Sequence, residues 1–210
     1  MDDIVQKIGM SGTTTGPTQP VTFLRVNDQK VFNYSSVSAA YPGSINKEHK
    51  ADQFHVISVG RFVPLKGFDI SIRSFARFYY QLTTDKQNLV KLTLLGKGPE
   101  KKRLEELAHS LNIAHKVNFV EWVPKEKINE FYSASDVFLF PSHEGAGMVV
   151  PEALSFGLPV ICFDNIGPGE FITEDCGEKI EYSNINETVE NYSNSLLKLF
   201  LNPKELKRKS

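Results

Sequence analysis

The sequence predicts an α/β fold built on a parallel β-sheet covered by helices on both faces. Three observations carry that expectation. From Phe54 onward, short apolar runs alternate with segments of helical spacing at least five times. The apolar runs are apolar throughout rather than every second residue, as in strands buried on both faces. The segments between them are too long for hairpins and long enough for crossover helices.

The elements follow in order. His55–Gly60 (HVISVG) reads as the first strand of this region, followed by the loop RFVPLKG. Phe68–Leu82 has apolar residues at 68, 72, 75, 76 and 79, the spacing of one helix face. Val90–Gly96 is a second strand, and Lys97–Glu100 its loop. Pro99–Leu111 carries Leu104, Leu107, Ala108 and Leu111 on one stripe, with the proline at a helix start. Lys116–Val120 is a third strand, and Pro124–Ser135 a short helix with Ile128, Phe131 and Tyr132 on one side. Val137–Pro141 is a fourth strand. Met148–Phe156 is a helix that stops at Gly157. Pro159–Asp164 and Glu178–Tyr182 are further strands, and Glu187–Leu201 is a final helix ended by Asn202-Pro203.

Residues 1–50 differ in composition. Ser11–Pro20 is rich in Gly, Pro, Ser and Thr, as linkers are. Val21–Val26 and Lys30–Val37 read as two short strands around Asn27-Asp28. The expected organisation is an arm, or a remnant of a second domain, over residues 1–50, and one ligand-binding domain over residues 51–210.

Composition narrows the function. Of 210 residues, 40% are hydrophobic and 23% charged, which suits a globular domain. A net charge of −1 argues against nucleic acid as a partner. Cys162 and Cys176 belong to no CxxC pair and read as small apolar residues of a reducing, cytoplasmic setting. No run of about 18 apolar residues encodes a membrane span, and MDDIVQKIGM is not a secretory signal. The basic tail PKELKRKS reads as a solvated helix start or a cut end.

In parallel sheets ligands bind at the carboxyl ends of the strands, so the loops there hold the chemistry. After the first strand come Gly60-Arg61 and Lys66-Gly67: a glycine that lets backbone approach a ligand, and two cations near a helix N-terminus, suited to a phosphate or diphosphate. Solvated surface charges give the same residues. After the second strand, Gly96-Lys97-Gly98-Pro99 is either a tight turn or a ligand-facing loop; neither GxxxxGK[ST] nor GxGxxG is present. After the fourth strand comes the richest stretch, Pro141 to Glu152, where a carboxylate precedes two glycines and a helix start. Glu144 and Glu152 on one helix would lie about 12 Å apart along its axis, whereas a glycosidase pair needs roughly 5–9.5 Å. The pair suits two hydroxyl-bearing parts of one elongated ligand, or else a helix cap and a surface residue. Gly167-Pro168-Gly169-Glu170 reads as a turn with a carboxylate favourably placed at a helix start.

These residues resemble a known family. Val137–Phe163, VFLFPSHEGAGMVVPEALSFGLPVICF, is similar to the signature of retaining family-4 (GT4) glycosyltransferases: a Glu, seven residues, a second Glu, then Ala-x-x-x-Gly-x-Pro-Val. Gly60-Arg61 with Lys66-Gly67 resembles the GR…KG loop of that family, and Leu95–Pro99 its GxGP turn. Val117–Asp136 resembles its base-pocket region, and Gly167–Ile172 its GGxxE segment. The likeness runs from Phe54 to Leu201 with the motifs in order.

The resemblance implies a two-domain GT-B enzyme whose C-terminal, Rossmann-like domain binds a nucleotide-diphosphate sugar. By position, Arg61 and Lys66 would hold the diphosphate and stabilise charge on the leaving nucleotide. Gly60 and Gly96 would line the approach. Glu152 would accept from ribose hydroxyls. Glu144 and the N–H groups of Gly145, Ala146, Gly147 and Met148 would hold the sugar, and backbone around Trp122 and Val123 would meet the base. No cofactor and no metal are expected, because the cations stand in for a divalent ion and no DxD is present. The acceptor implied is a glycan or a lipid-linked glycan, in polysaccharide biosynthesis. An N-terminal acceptor domain, absent from this sequence, would complete the site and attach it to the inner membrane surface, so this length of chain is expected to be an inactive fragment.

Two departures bear on sugar preference: Ala146 stands where the family has Phe, and one residue, His143, separates Ser142 from Glu144 where two are commoner. Other readings are a nucleotide-sugar epimerase of the same fold, with His143 as its nearest acid/base candidate, a non-catalytic nucleotide-sugar-binding module, and a domain for some other phosphate ligand.

Overall fold

A computed structural model describes residues 23–26, 30–33, 53–121, 123–143 and 147–210. The chain divides into two compact units, Met1–Pro42 and Gly43–Ser210. The first contains strands β1 (Phe23–Val26) and β2 (Lys30–Asn33), which pair antiparallel with Phe23 opposite Asn33. The two strands expected around Asn27-Asp28 are therefore present, in shorter form.

The second unit has six strands: β3 (Phe54–Val59), β4 (Val90–Leu95), β5 (Val117–Val120), β6 (Val137–Phe140), β7 (Val160–Phe163) and β8 (Gly177–Ile180). All pair in parallel, in the order β5-β4-β3-β6-β7-β8. The chain thus builds outward from β3 in one direction and then starts again at β6 in the other. The carboxyl ends of β3 and β6 form the crevice where loops diverge to opposite faces.

The helices are α1 (Phe68–Tyr80), α2 (Thr84–Gln87), α3 (Lys101–Ser110), α4 (Lys125–Ser133), α5 (Val149–Ser155), α6 (Ile185–Leu201) and α7 (Pro203–Lys209). Strand period sorts the core into two layers. Val56, Leu92, Leu94, Val137, Leu139, Ile161 and Phe163 join the large core with Ile72, Phe75 and Phe78 of α1 and Tyr192, Leu196 and Leu199 of α6. On the other face Phe138 meets Tyr132 of α4 at 6.0 Å between ring centroids, and Tyr132 stacks on Phe156 at the end of α5. Every residue of β3, β6 and β7 is buried, as continuous apolar strands require.

One correction concerns the end of the chain. Asn202-Pro203 ends α6, but it also begins α7, because proline suits the first helical position. The basic tail is not wholly solvated. Lys209 is buried and donates from Nζ to the carbonyl of Gly177 at 3.0 Å and to that of Glu174.

At the amino end of the sheet, His55 ties three strands together. Its backbone N–H donates to the Asp136 carboxylate at 2.7 Å, its Nδ1 lies 3.0 Å from the Ala134 carbonyl, and its Nε2 lies 2.7 Å from Thr93 Oγ1. A carbonyl only accepts, so Nδ1 carries a proton and donates to Ala134. Among the described residues no helix is long and apolar enough to cross a membrane.

Candidate functional site

The loops singled out in the sequence stand at the carboxyl ends of the strands. Arg61 follows β3 directly and is exposed. The chain then forms a 3-10 turn, Pro64–Lys66, begun by proline and closed by Gly67. Gly67 has φ 63°, and a Cβ there would lie 1.9 Å from the Pro141 carbonyl oxygen. Only glycine permits both that backbone angle and that approach. Lys66 thereby comes over the Phe140 ring, with Nζ 5.6 Å from its centroid.

β3 and β6 stay in register only through Val56↔Val137 and Ile57↔Phe138. Beyond that pair the strands part, and side chains and loop backbone take over. Ser58 Oγ donates to the Leu139 carbonyl at 2.7 Å. His143 N–H donates to the Leu65 carbonyl at 3.0 Å, and Ser142 Oγ reaches the same oxygen at 3.4 Å. The loop bearing Arg61 and Lys66 is therefore fastened to the loop that leads to Glu144.

Gly60 donates its N–H to Leu95, and Phe62 donates to Lys97. The N–H of Gly96 is taken by the Val120 carbonyl at 2.9 Å, and a Cβ on Gly96 would lie 1.8 Å from the Gly60 carbonyl oxygen. The close seating of two loops accounts for the glycine at 96. Gly98 is similar, with Phe62 backbone atoms in the place of its absent Cβ.

Val123 is half-buried beyond the end of β5, and Trp122 lies outside the described residues. Nearby Glu121 accepts from Lys101 Nζ, which holds its carboxyl below the ordinary carboxylate range. Glu144, Gly145 and Ala146 also lie outside the described residues. Gly147 is buried at φ 52°, with the Pro168 ring where a Cβ would stand. Met148 is the residue before α5, and Glu152 sits half-buried in its first turn.

Three features of this end were not read from the sequence. The ring of His143 stacks on Phe163 at 4.3 Å, with Tyr182 edge-on at 5.5 Å from His143. Asn165 Nδ2 donates to the Ser142 carbonyl at 3.1 Å. Leu65, Ile166 and Tyr182 are exposed apolar side chains of the loops after β3, β7 and β8. An alternating apolar pattern cannot reveal them, because each depends on which strands become neighbours. Among the described residues no three His, Cys, Asp or Glu side chains gather into a metal-binding group.

The chain that carries these loops is similar to known proteins. The sequence pattern of the glycosyl transferases group 1 fits residues 44–209. The chain belongs to that family. An uncharacterized glycosyltransferase of Haemophilus influenzae is 33% identical to it over 178 residues, 81% of this chain and 46% of the relative. The lipopolysaccharide core biosynthesis glycosyltransferase LpsE of Rhizobium meliloti is 36% identical over 125 residues, 59% of this chain and 34% of LpsE. The glycosyltransferase chain thus spans less than half the length of these relatives.

Solved structures agree. WaaG, a glycosyltransferase involved in lipopolysaccharide biosynthesis, superposes with a TM-score of 0.64 at 26% identity, over 75% of this chain and 40% of WaaG. The pneumococcal O-GlcNAc transferase GtfA, in complex with UDP and GlcNAc, gives 0.66 at 21% identity over 75% of this chain and 31% of GtfA, a likeness of fold. The six-stranded parallel sheet flanked by helices is the Rossmann-like arrangement of GT-B glycosyltransferases, as the sequence predicts.

Proposed function

We propose that residues 51–210 form the donor-binding domain of a retaining, GT4-type hexosyltransferase that takes a nucleotide-diphosphate sugar and transfers the sugar to a glycan or lipid-linked acceptor. The observation that carries this reading is the fastening of the Arg61–Lys66 loop to the Ser142–His143 limb across the β3/β6 crevice. A nucleotide sugar is long, with a diphosphate at its middle and hydroxyls at both ends. It needs cations between two sets of acceptors. Arg61 and Lys66 supply the cations, and Glu152 and Glu144 the acceptors for ribose and sugar.

In this reading the bond from the anomeric carbon to the diphosphate oxygen breaks while the two cations neutralise the charge that gathers on that oxygen. The acceptor hydroxyl attacks from the same face and passes its proton to the departing phosphate oxygen, so configuration is kept with no covalent enzyme intermediate. Neither metal nor cofactor takes part. LpsE and WaaG are named for lipopolysaccharide biosynthesis, and GtfA and HepE of Anabaena were solved with UDP. These names favour a uridine nucleotide and a cell-surface glycan. The acceptor would be held by an N-terminal domain, with the enzyme at the cytoplasmic face of the membrane.

The test is calorimetric titration of this chain with UDP, GDP and ADP, with and without magnesium, for wild type, Arg61→Ala and Glu152→Ala. One nucleotide should bind without magnesium. Each substitution should weaken it about 10- to 100-fold, the loss of one charge-assisted hydrogen bond. A folded wild type that binds none of the three at millimolar concentration would overturn the reading.

A further inference from the structure

Three strands lie side by side at the crevice, β3, β6 and β7, and their ladders end early. The last β6–β7 pair is Phe140↔Cys162. Two residues beyond β6's last paired residue and three beyond β7's, the Asn165 side chain resumes the pairing by donating from Nδ2 to the Ser142 carbonyl at 3.1 Å. Ser142 is fully buried, and through its Oγ and the next N–H it holds the Leu65 carbonyl beside Lys66. A single line of hydrogen bonds thus runs from the loop after β7, through Ser142, to the loop after β3.

The other end of the same amide shows what the side chain is for. Asn165 Oδ1 is buried with no hydrogen-bond partner among the described residues. An unpaired buried acceptor is unfavourable. Turning the amide over offers no relief, because it would set Oδ1 against the Ser142 carbonyl, acceptor against acceptor. An asparagine that keeps one orphaned oxygen is held in place by what its nitrogen does. A second contact joins the same two loops, where the Pro168 ring occupies the Cβ position of Gly147.

We propose that Asn165 is a positioning residue of the glycosyltransferase, whose amide anchors the sugar-side loop after β6 to the loop after β7 and so, through Ser142, holds it in place against the cation-bearing loop after β3. This rests on the donor-binding reading. In a nucleotide sugar the distance from diphosphate to sugar is fixed by covalent bonds, so both loops must stand at matching positions at once. A free nucleoside diphosphate makes no such demand. Losing the tie therefore spares the diphosphate and weakens the sugar, and a displacement of about 1 Å can cost about 100-fold in a positioned reaction.

The experiment compares wild type, Asn165→Leu and Asn165→Asp. Leucine keeps the volume and removes the orphaned oxygen. Aspartate keeps the shape and removes the donor. Two quantities are read on the whole chain: the amide exchange rate of His143, and the affinities for UDP and for UDP-glucose, with GDP and GDP-mannose in parallel. His143 should exchange about tenfold faster in both variants, the factor for one net hydrogen bond, while the Gly60 amide keeps its rate. The variants should bind the nucleoside diphosphate as wild type does and lose about tenfold or more of the nucleotide-sugar affinity.

Unchanged His143 exchange would overturn the tie, whatever the ligands do. Equal losses for diphosphate and nucleotide sugar would reduce Asn165 to a structural role and overturn the positioning role. A wild type that binds no nucleotide sugar overturns the donor-binding reading and the sugar-selective effect with it, and the exchange rates still decide the tie on their own.

Discussion

Replacing Gly67 by alanine should break the domain at the crevice rather than in its core. Two costs arise. A left-handed backbone costs an alanine about 1–2 kcal/mol. The new methyl would stand 1.9 Å from the Pro141 oxygen, so the two loops must part by about 1.5 Å to reach an ordinary contact of 3.4 Å. That movement would carry His143 N–H and Ser142 Oγ, at 3.0 and 3.4 Å, out of reach of the Leu65 carbonyl. Each lost bond costs about 1 kcal/mol, and forcing backbone apart in a packed region costs about 1–3 kcal/mol. The expected loss is about 4–7 kcal/mol, a large part of the ~5–15 kcal/mol that holds a domain folded. Urea unfolding followed by far-ultraviolet circular dichroism measures it directly. The melting temperature should fall by about 10 °C or more. A loss under about 1 kcal/mol would refute the reasoning, because it would mean that the loops part freely and that nothing rigid sets Lys66 against the loop after β6.

Three further perturbations probe the scaffold. Tyr192→Phe removes a buried hydroxyl with no hydrogen-bond partner among the described residues, and should raise stability by about 1 kcal/mol, seen as a melting shift of about 2–4 °C. Burial pushes the Cys162 thiol from an ordinary value of 9.0 up to about 12. The folded chain then keeps a proton that the unfolded chain loses, so stability falls as pH rises from 9 toward 12. Cys162→Ala should flatten that alkaline slope by up to about 1.4 kcal/mol per pH unit in urea titrations at pH 8.5 to 11. Glu205 is held down to about 2, chiefly by its hydrogen bond from Arg208. Its contribution is present above about 4.5 and is lost as pH falls toward 2. The α7 amide of Leu206 should begin to exchange faster in that window, and Glu205→Gln should show fast exchange at every pH.

Much of the fold was legible because this sheet is buried on both faces. Such strands print themselves as apolar runs, and Phe54–Val59 and Val160–Phe163 were found to within a residue or two. For the tail from Pro203 a helix start and a cut end were both open in the sequence, because the ring that stops one helix also pre-sets the start of the next, and the structure shows the helix start. The site loops were legible by position, since whatever follows a parallel strand lies at its ligand-binding end. Gly96 shows the limit of that rule. As letters, Gly96-Lys97-Gly98-Pro99 suits a turn or a ligand loop equally, and the Gly60 carbonyl that fills the space is 36 residues away in sequence. Asn165 and Ser142 are invisible for the same reason, because their bond exists only once β6 and β7 are neighbours.

The buried lysine of α7 has a consequence for handling the protein. β8 is the last strand of its row, and an outermost strand offers unpaired backbone groups to any other extended chain. Lys209 stops one of these, the Gly177 carbonyl, and Arg208 nearby grips Asp175 and the Glu174 carbonyl. The last helix therefore acts as a cork over an adhesive margin. Trimming the chain at Asn202, or pulling α7 away with a bulky C-terminal fusion, would bare that margin and invite strand-by-strand association into precipitate, while leaving the crevice at the far side of β7 intact.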